Sequence, residues 1–376
     1  MRPSRLRRSH PQWALGLLHG LALVVLSWPG FVQGQEEAAA ATDDERARIY
    51  TTREERRDAG LKHALADWLL ASGLVEFETL DQRRSLFDES GHSDDSEYTA
   101  TLQLGVEATP LEWMKIELIS ELEQDSETGQ TGPVLDEAVL ALEAGDFELE
   151  LGKLYVPFGV YFSRFVSGPL VEFGETRAHA AALSYGPDER LDIVAFTYDG
   201  RARPLSGSRR RDWGFALEVS PLPFATVGAS YLSDLADSDE DLLDDSQGRY
   251  EQRVDAWSAY AVAGAGPFEA SVEWLAARRA FRELDTDRNR PRAWNIELAY
   301  APRDDVDCAL RYEGSRELED APRWQAGVAA TWRALRSASL TVEYLRARFR
   351  RGLAEDARER PIDGRDLFAA QLSVEF

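Results

Sequence analysis

The stretch YTATLQLGVEA, residues 98–108, puts Tyr98, Ala100, Leu102, Leu104, Val106 and Ala108 on even positions and Thr99, Thr101, Gln103, Gly105 and Glu107 on odd ones. Successive side chains of a strand point to opposite faces, so this segment reads as a strand with one apolar and one polar side. The same period of two recurs at Trp213/Phe215/Leu217/Val219, at Trp294/Ile296/Leu298/Tyr300 and at Trp324/Ala326/Val328/Ala330/Trp332. Aromatic residues stand at the strand ends, where barrels that cross a membrane carry their interfacial girdles.

Working outward, sixteen segments of this kind are predicted, from 71–80 to 365–376. Their length suits a tilted transmembrane strand of about 9–11 residues. The connections alternate. Thr109-Pro110, Gly145-Asp146 and GPDE at 186–189 are short, whereas 81–97, 155–177 and 234–252 are long. Short periplasmic turns and long outer loops are the rhythm of bacterial barrels. In the last segment Phe368, Ala370, Leu372, Val374 and Phe376 alternate with Ala369, Gln371, Ser373 and Glu375. A terminal aromatic after such a strand resembles the signal read by the barrel-assembly machinery, an expected partner. The reading is all-β: a 16-stranded antiparallel transmembrane β-barrel in the outer membrane of a Gram-negative bacterium, with a short N-terminal periplasmic helix.

Composition agrees. Among 376 residues there are 43 Lys+Arg and 67 Asp+Glu, a formal charge of -24. This argues against nucleic acid, whose partners need a basic surface. Mean hydropathy is -0.40, wrong for a helical membrane protein but right for a barrel, in which only alternate strand residues meet lipid. The single cysteine, Cys308, excludes an intramolecular disulfide and any cysteine-cluster metal site. It shares parity with Val306, Leu310 and Tyr312 and reads as a small apolar strand residue. Residues 1–34 read as a signal peptide, with a basic start, the apolar run 14–28 and small or apolar residues before Gly34; cleavage within Ala39–Ala41 is the alternative. Residues 35–70 are charged and helix-prone, a periplasmic arm or helix, and 71–376 form the barrel.

Function in a barrel of this size depends on what narrows its aqueous lumen. The loop within 154–177 differs from the other long connections, because it carries Tyr155, Phe158, Tyr161, Phe162, Phe165 and Phe173 with Pro157, Gly159, Gly168, Pro169 and Gly174. So many aromatics fit a loop that folds inward onto the wall. Lys153, Tyr161, Arg164, Glu172, Glu175 and Arg177 are then candidates for a constriction and substrate pathway; the competing reading is a structural plug whose charges pair with one another. The segment DLADSDEDLLDDSQGRYEQ, 234–252, lacks an EF-hand ligand pattern and reads as a solvated acidic loop. Arg346, Arg348 and Arg350 share parity with lipid-facing Val342 and Tyr344. They are candidates for contact with lipopolysaccharide phosphates, unless a bulge turns them into the lumen. The RRR at 209–211 could likewise meet an anionic solute or a lipid phosphate. Beyond residue 34 the histidines are His63, His92 and His179, placed in the helix, a polar loop and a strand, without a nucleophile at matching parity. With no phosphate-binding glycine loop and no zinc spacing, no enzyme activity, cofactor or resident metal is expected.

GKLYVPFGVYFSRFVSGPLVEFGETRA (152–178) resembles the signature region of the LbtU-type siderophore porins, and REERRDAGLKHALADWLLASGLVEFE (53–78) is similar to that family's approach to its first strand. The resemblance covers most of the chain after residue 34. It implies a TonB-independent outer-membrane barrel for uptake of ferric siderophores. A general or anion-selective porin for small solutes is the alternative, and a structural or adhesin barrel a further one.

Overall fold

The structure, a computed structural model, describes residues 60–376 apart from 88–91, 126–130, 201–202, 205–210, 239–241, 243–248 and 357. The signal-peptide expectation and most of the N-terminal arm lie outside the described residues.

Sixteen antiparallel strands make one wall. The first eight are β1 (Leu69–Leu86), β2 (His92–Leu111), β3 (Met114–Asp125), β4 (Thr131–Ala144), β5 (Phe147–Tyr155), β6 (Arg177–Asp188), β7 (Leu191–Asp199) and β8 (Asp212–Leu222). The rest are β9 (Ala225–Leu232), β10 (Ala256–Ala265), β11 (Phe268–Ala277), β12 (Arg292–Arg303), β13 (Val306–Arg316), β14 (Trp324–Leu335), β15 (Ala338–Arg348) and β16 (Ile362–Glu375). Each strand pairs with the next in sequence, and β16 pairs with β1 from Ile362↔Leu86 to Glu375↔Leu74, so the sheet closes. Closure removes both sheet edges, the condition for a β-structure to cross hydrocarbon. Beyond β16, Gly73 and Phe376 exchange backbone hydrogen bonds of 2.7 and 2.9 Å. The Phe376 ring lies over Gly73, where an added Cβ would stand 2.3 Å from it.

All seven connections at one end have two residues, from Glu112-Trp113 to Arg336-Ser337. Gly145 (φ 64°) and Gly266 (φ 58°) provide the left-handed backbone that such tight hairpins need. Every long connection lies at the other, outer end. The alternation places Leu183, Leu298, Leu310 and Val328 on the outside, and Leu310 is 56% exposed. A continuous apolar exterior of this kind is suited to lipid and not to water. Two aromatic girdles bound it. Phe147 packs on Tyr185 (4.9 Å) and Phe268 on Tyr300 (4.8 Å) at the turn end. Tyr231 lies 5.1 Å from both Trp213 and Trp257, and Trp294 4.9 Å from Tyr312, at the outer end. Cys308 sits on β13 between Tyr300 and Ala330.

The expected N-terminal helix is not found where the arm is described. His63–Ala66 is instead a strand that folds back antiparallel on the first residues of β1. Leu61 N–H donates to Glu375 (3.0 Å) and Lys62 pairs with Glu107 (2.6 Å). Partners in the barrel thus override a local helix preference. The only helical turn among the described residues is a 3₁₀ segment, Leu170–Gly174. The first hairpin is also longer than its apolar pattern, with 18 and 20 residues in β1 and β2. His92 therefore starts a strand, and paired polar residues such as Arg83 and Asp94 carry the hairpin beyond the apolar belt.

Gly152 on β5 has φ 147°, and a Cβ there would lie 1.9 Å from the Ala138 carbonyl oxygen. Gly152→Val should therefore destabilise the folded barrel by about 3 kcal/mol. The urea midpoint read from heat-modifiable electrophoretic mobility checks this, and an unchanged midpoint would refute the close approach.

Candidate functional site

Between β5 and β6 the chain turns into the lumen. The neck of this loop is closed by Val156 N–H to the Thr176 carbonyl, 2.9 Å. Its apolar side chains find sockets on the inward faces of the wall. Val156, Phe158, Val171 and Phe173 pack with Ala178, Ala182, Phe196, Leu232 and Leu275. Phe165 enters a second pocket among Ala309, Ala329, Leu345, Leu367 and Ala369, where alanines at inward positions leave room for a ring. Phe158 is 1% exposed and Val171 is fully buried.

Enclosure creates a problem for the loop backbone, which is irregular and shielded from water, so its N–H groups need acceptors. Glutamates of the wall provide them. Glu273 of β11 accepts from Val160 N–H (2.9 Å) and Tyr161 N–H (3.0 Å). Glu297 of β12 accepts from Arg164 N–H (2.9 Å) and the Ser163 hydroxyl (2.7 Å). Glu313 of β13 accepts from Leu170 N–H (2.6 Å), and Glu343 of β15 from Ser167 N–H (3.1 Å) and its hydroxyl (2.7 Å). Arg311 completes the set. Its guanidinium donates to the Ser167 carbonyl (2.7 Å), pairs with Glu313 (2.9 Å) and lies 4.2 Å over the Phe165 ring. Arg311, Glu297, Glu313 and Glu343 are all at most 2% exposed. Charge-assisted bonds of this kind are the strong ones, and a buried carboxylate is tolerated because several donors meet it.

The six candidate residues in and beside the loop divide. Arg164 pairs with Glu269 (2.8 Å) and approaches Glu297 (3.8 Å). Tyr161 adopts a left-handed backbone (φ 54°), and its ring covers Gly159. The Glu172 carboxylate lies against Gly168 and faces a cavity of about 480 Å³ shared with Arg288 and Arg365. Glu175 lines a separate cavity of about 350 Å³. Arg177 pairs with Asp136 and lies 5.5 Å from the Tyr155 ring. Lys153 has the parity of exposed Leu151, and its ammonium reaches the Leu135 carbonyl; it stands apart from the loop anchors. The anchoring residues Glu273, Glu297, Arg311, Glu313 and Glu343 were legible only as polar residues at inward parity, which many lumen positions share. Of the outer arginines, Arg346 and Arg348 keep outward parity, because the β14–β15 register runs unbroken from Trp324↔Arg348 to Trp332↔Leu340. Arg350 follows β15 in the outer connection.

The acidic connection after β9 departs from the solvated reading at its start. Asp234 to Ser238 are buried, and Asp234 and Asp237 meet Asp212 of β8. Arg253 pairs with Asp212 and lies 3.8 Å from Asp234. Leu235, Ala236 and Val254 join the apolar cluster that holds the loop aromatics, and this packing pulls the neighbouring aspartates out of water. Burial, then repulsion from Asp212, pushes the Asp234 carboxyl up to about 8.

Comparison with known proteins follows the geometry. The anion-selective porin of Comamonas acidovorans superposes with a TM-score of 0.58 at 10% identity, covering 82% of this chain and 99% of that one. OprB of Pseudomonas putida gives 0.57 at 12% identity over 86% and 96%. OmpF of Salmonella typhi gives 0.57 at 11% over 84% and 100%. This chain has the porin-type 16-stranded barrel fold. Identities this low carry the fold alone. A UPF0422 protein of Coxiella burnetii (strain RSA 493 / Nine Mile phase I) is 29% identical over 170 residues, 41% of this chain. The match spans about a third of that relative, 36% of its length. No family model matches.

Two outcomes follow. Replacing Glu273 and Glu297 together by alanine removes four acceptor bonds to the loop, each worth about 1.5–3 kcal/mol. The loop should loosen, with larger and noisier single-channel conductance in planar bilayers; an unchanged trace would show that other contacts hold it. Because the Asp234 value is raised, the attachment of the 233–255 connection is strongest below about pH 4 and declines as pH rises through about 8. Amide-exchange protection at Leu235 and Ala236, corrected for intrinsic rates, should fall between pH 5 and pH 9, and Asp234→Asn should flatten that response.

Proposed function

We propose that this barrel is a passive, TonB-independent diffusion channel whose lumen favours neutral and cationic small solutes. The observation that carries the reading is the lining of the space beside the loop. The cavity of about 350 Å³ is bordered by Glu117, Glu137, Glu148, Glu150, Glu175, Asp192 and Glu218, with no lysine, arginine or histidine among its described lining residues. A second cavity of about 420 Å³ shares Glu117 and Glu137 and adds Glu76, Glu107, Glu121, Asp136 and Glu375. Its one basic residue, Lys62, is paired with Glu107. Two cavities with common walls support a continuous acidic corridor from beside the loop towards the turn end. Rings and corridors of carboxylates select cations, since a low-dielectric wall strengthens their field.

Against the anion-selective alternative, Arg164 and Arg311 are committed to Glu269 and Glu313, and Arg288 and Arg365 at the cavity of about 480 Å³ stand among Glu172, Glu317, Glu319 and Asp320. Ferric siderophores, the cargo that the family resemblance implies, fit this reading as neutral or cationic chelates. A plug-gated receptor needs a further domain inside its barrel; the described lumen holds the 156–176 loop.

Reversal potentials across a potassium chloride gradient test the reading. Cation preference is expected, and it should shift towards neutrality in Glu117→Gln/Glu137→Gln. Anion preference, or a silent barrel, would overturn it. Growth on a cationic ferric siderophore in a TonB-deficient strain should depend on this chain; no dependence would remove the siderophore cargo and leave the channel.

A further inference from the structure

On the outer rim, four neighbouring strands bring arginines together, and the strand-borne ones face the lipid side. Arg292 at the start of β12 stands directly opposite Arg316 at the end of β13. Their parity is that of outward Trp294, one same-face step from Arg292 towards the membrane, and Tyr312, two such steps from Arg316. Arg323 lies just before β14, and Arg350 just after β15, above Arg346 and Arg348. Like charges placed opposite each other across a strand pair are unfavourable without a counter-ion.

The carboxylates nearby are few. Glu317 lies 3.5 Å from Arg316, Asp363 pairs with Arg348, and Asp366 is 3.9 Å from Arg346 while accepting the Tyr344 hydroxyl at 2.6 Å. Among the described residues, Arg292, Arg323 and Arg350 have no carboxylate within ion-pair distance. The guanidiniums also feel one another. Partial burial, and then the charges of Arg323 and Arg316, hold the Arg350 guanidinium below the usual arginine range, with Glu317 opposing and Arg292 adding a smaller push in the same direction.

We propose that this rim binds the phosphate groups of an outer-leaflet glycolipid such as lipopolysaccharide. The position decides the class of ligand. The Arg292/Arg316 pair lies on the outside of the barrel, beyond the outer girdle, whose rings Trp294 and Tyr312 are 4.9 Å apart. A ligand there meets aromatic and apolar surface on one side and guanidiniums on the other. A phosphorylated lipid matches both, and guanidinium forks match phosphate oxygens. The site is independent of the lumen and of the solute reading.

The test uses the full barrel in detergent, followed by native mass spectrometry with bisphosphorylated lipid A, its dephosphorylated form, and inorganic phosphate. The wild type should retain bisphosphorylated lipid A. Arg292→Gln/Arg316→Gln/Arg350→Gln should bind it on the order of a hundredfold more weakly. Arg350→Gln alone, which lies outside any strand and should leave folding intact, should lose about fivefold. Arg303→Gln, at the turn end, should change nothing. Equal retention by the triple and single variants would overturn the proposal. So would equal retention of the dephosphorylated lipid, and so would saturation by inorganic phosphate at the concentrations that suffice for lipid A, which would make the rim a free-anion site.

Discussion

In hydrocarbon, an unpaired peptide N–H or carbonyl costs several kcal/mol, and no water is present to satisfy it. Everything in this molecule follows from meeting that demand. The sixteen strands pair in order, and the demand is met at the two outermost only when β16 finds β1. Gly73 matters at this seam. Its missing side chain leaves room for the far end of the Phe376 ring beside the last pair of hydrogen bonds.

The same demand returns inside the lumen on a smaller scale. The 156–176 loop has no strand neighbour to satisfy its N–H groups, and its aromatics take it away from water. Four glutamates on β11, β12, β13 and β15 act in place of a neighbouring strand. This makes the lumen electrically uneven. On that side, carboxylate charge is spread over backbone donors and Arg311. On the other, around Glu117, Glu137, Glu148 and Glu150, the acids border the open space itself. In the proposed channel a permeating ion would meet the second set of charges, while the first set holds the loop in place.

The outside divides in a related way. Apolar residues and girdles fill the belt, and the charges that outward parity would place in lipid occur where the strands leave it. Asp366 with Tyr344, and Asp363 with Arg348, hold their charges in pairs at that level. The group around Arg292, Arg316, Arg323 and Arg350 is built differently, with more positive charge than the neighbouring Glu317 balances. At the same end, the Asp212/Asp234/Asp237 group is buried against Arg253 and Tyr250, where it ties the β9–β10 connection to the wall.

Sequence by itself determined the wall: period-two alternation names the lipid face of each strand, and the alternation of short and long connections names the two ends. Side-chain direction in a strand depends only on position along the chain, so Leu298, Leu310 and Val328 could be placed without any partner. The family of aromatics between Tyr155 and Phe173 likewise marked a loop that water would not hold. Tertiary structure alone decided which inward residues meet that loop, because Glu273 and Glu297 look the same in sequence as Glu117 and Glu148. It also decided that His63–Ala66 pairs as a strand, that Asp234 is buried, and that Arg292 faces Arg316. Each of these depends on register between segments distant in the chain. Register is set by closure of the whole ring, and no single stretch carries it.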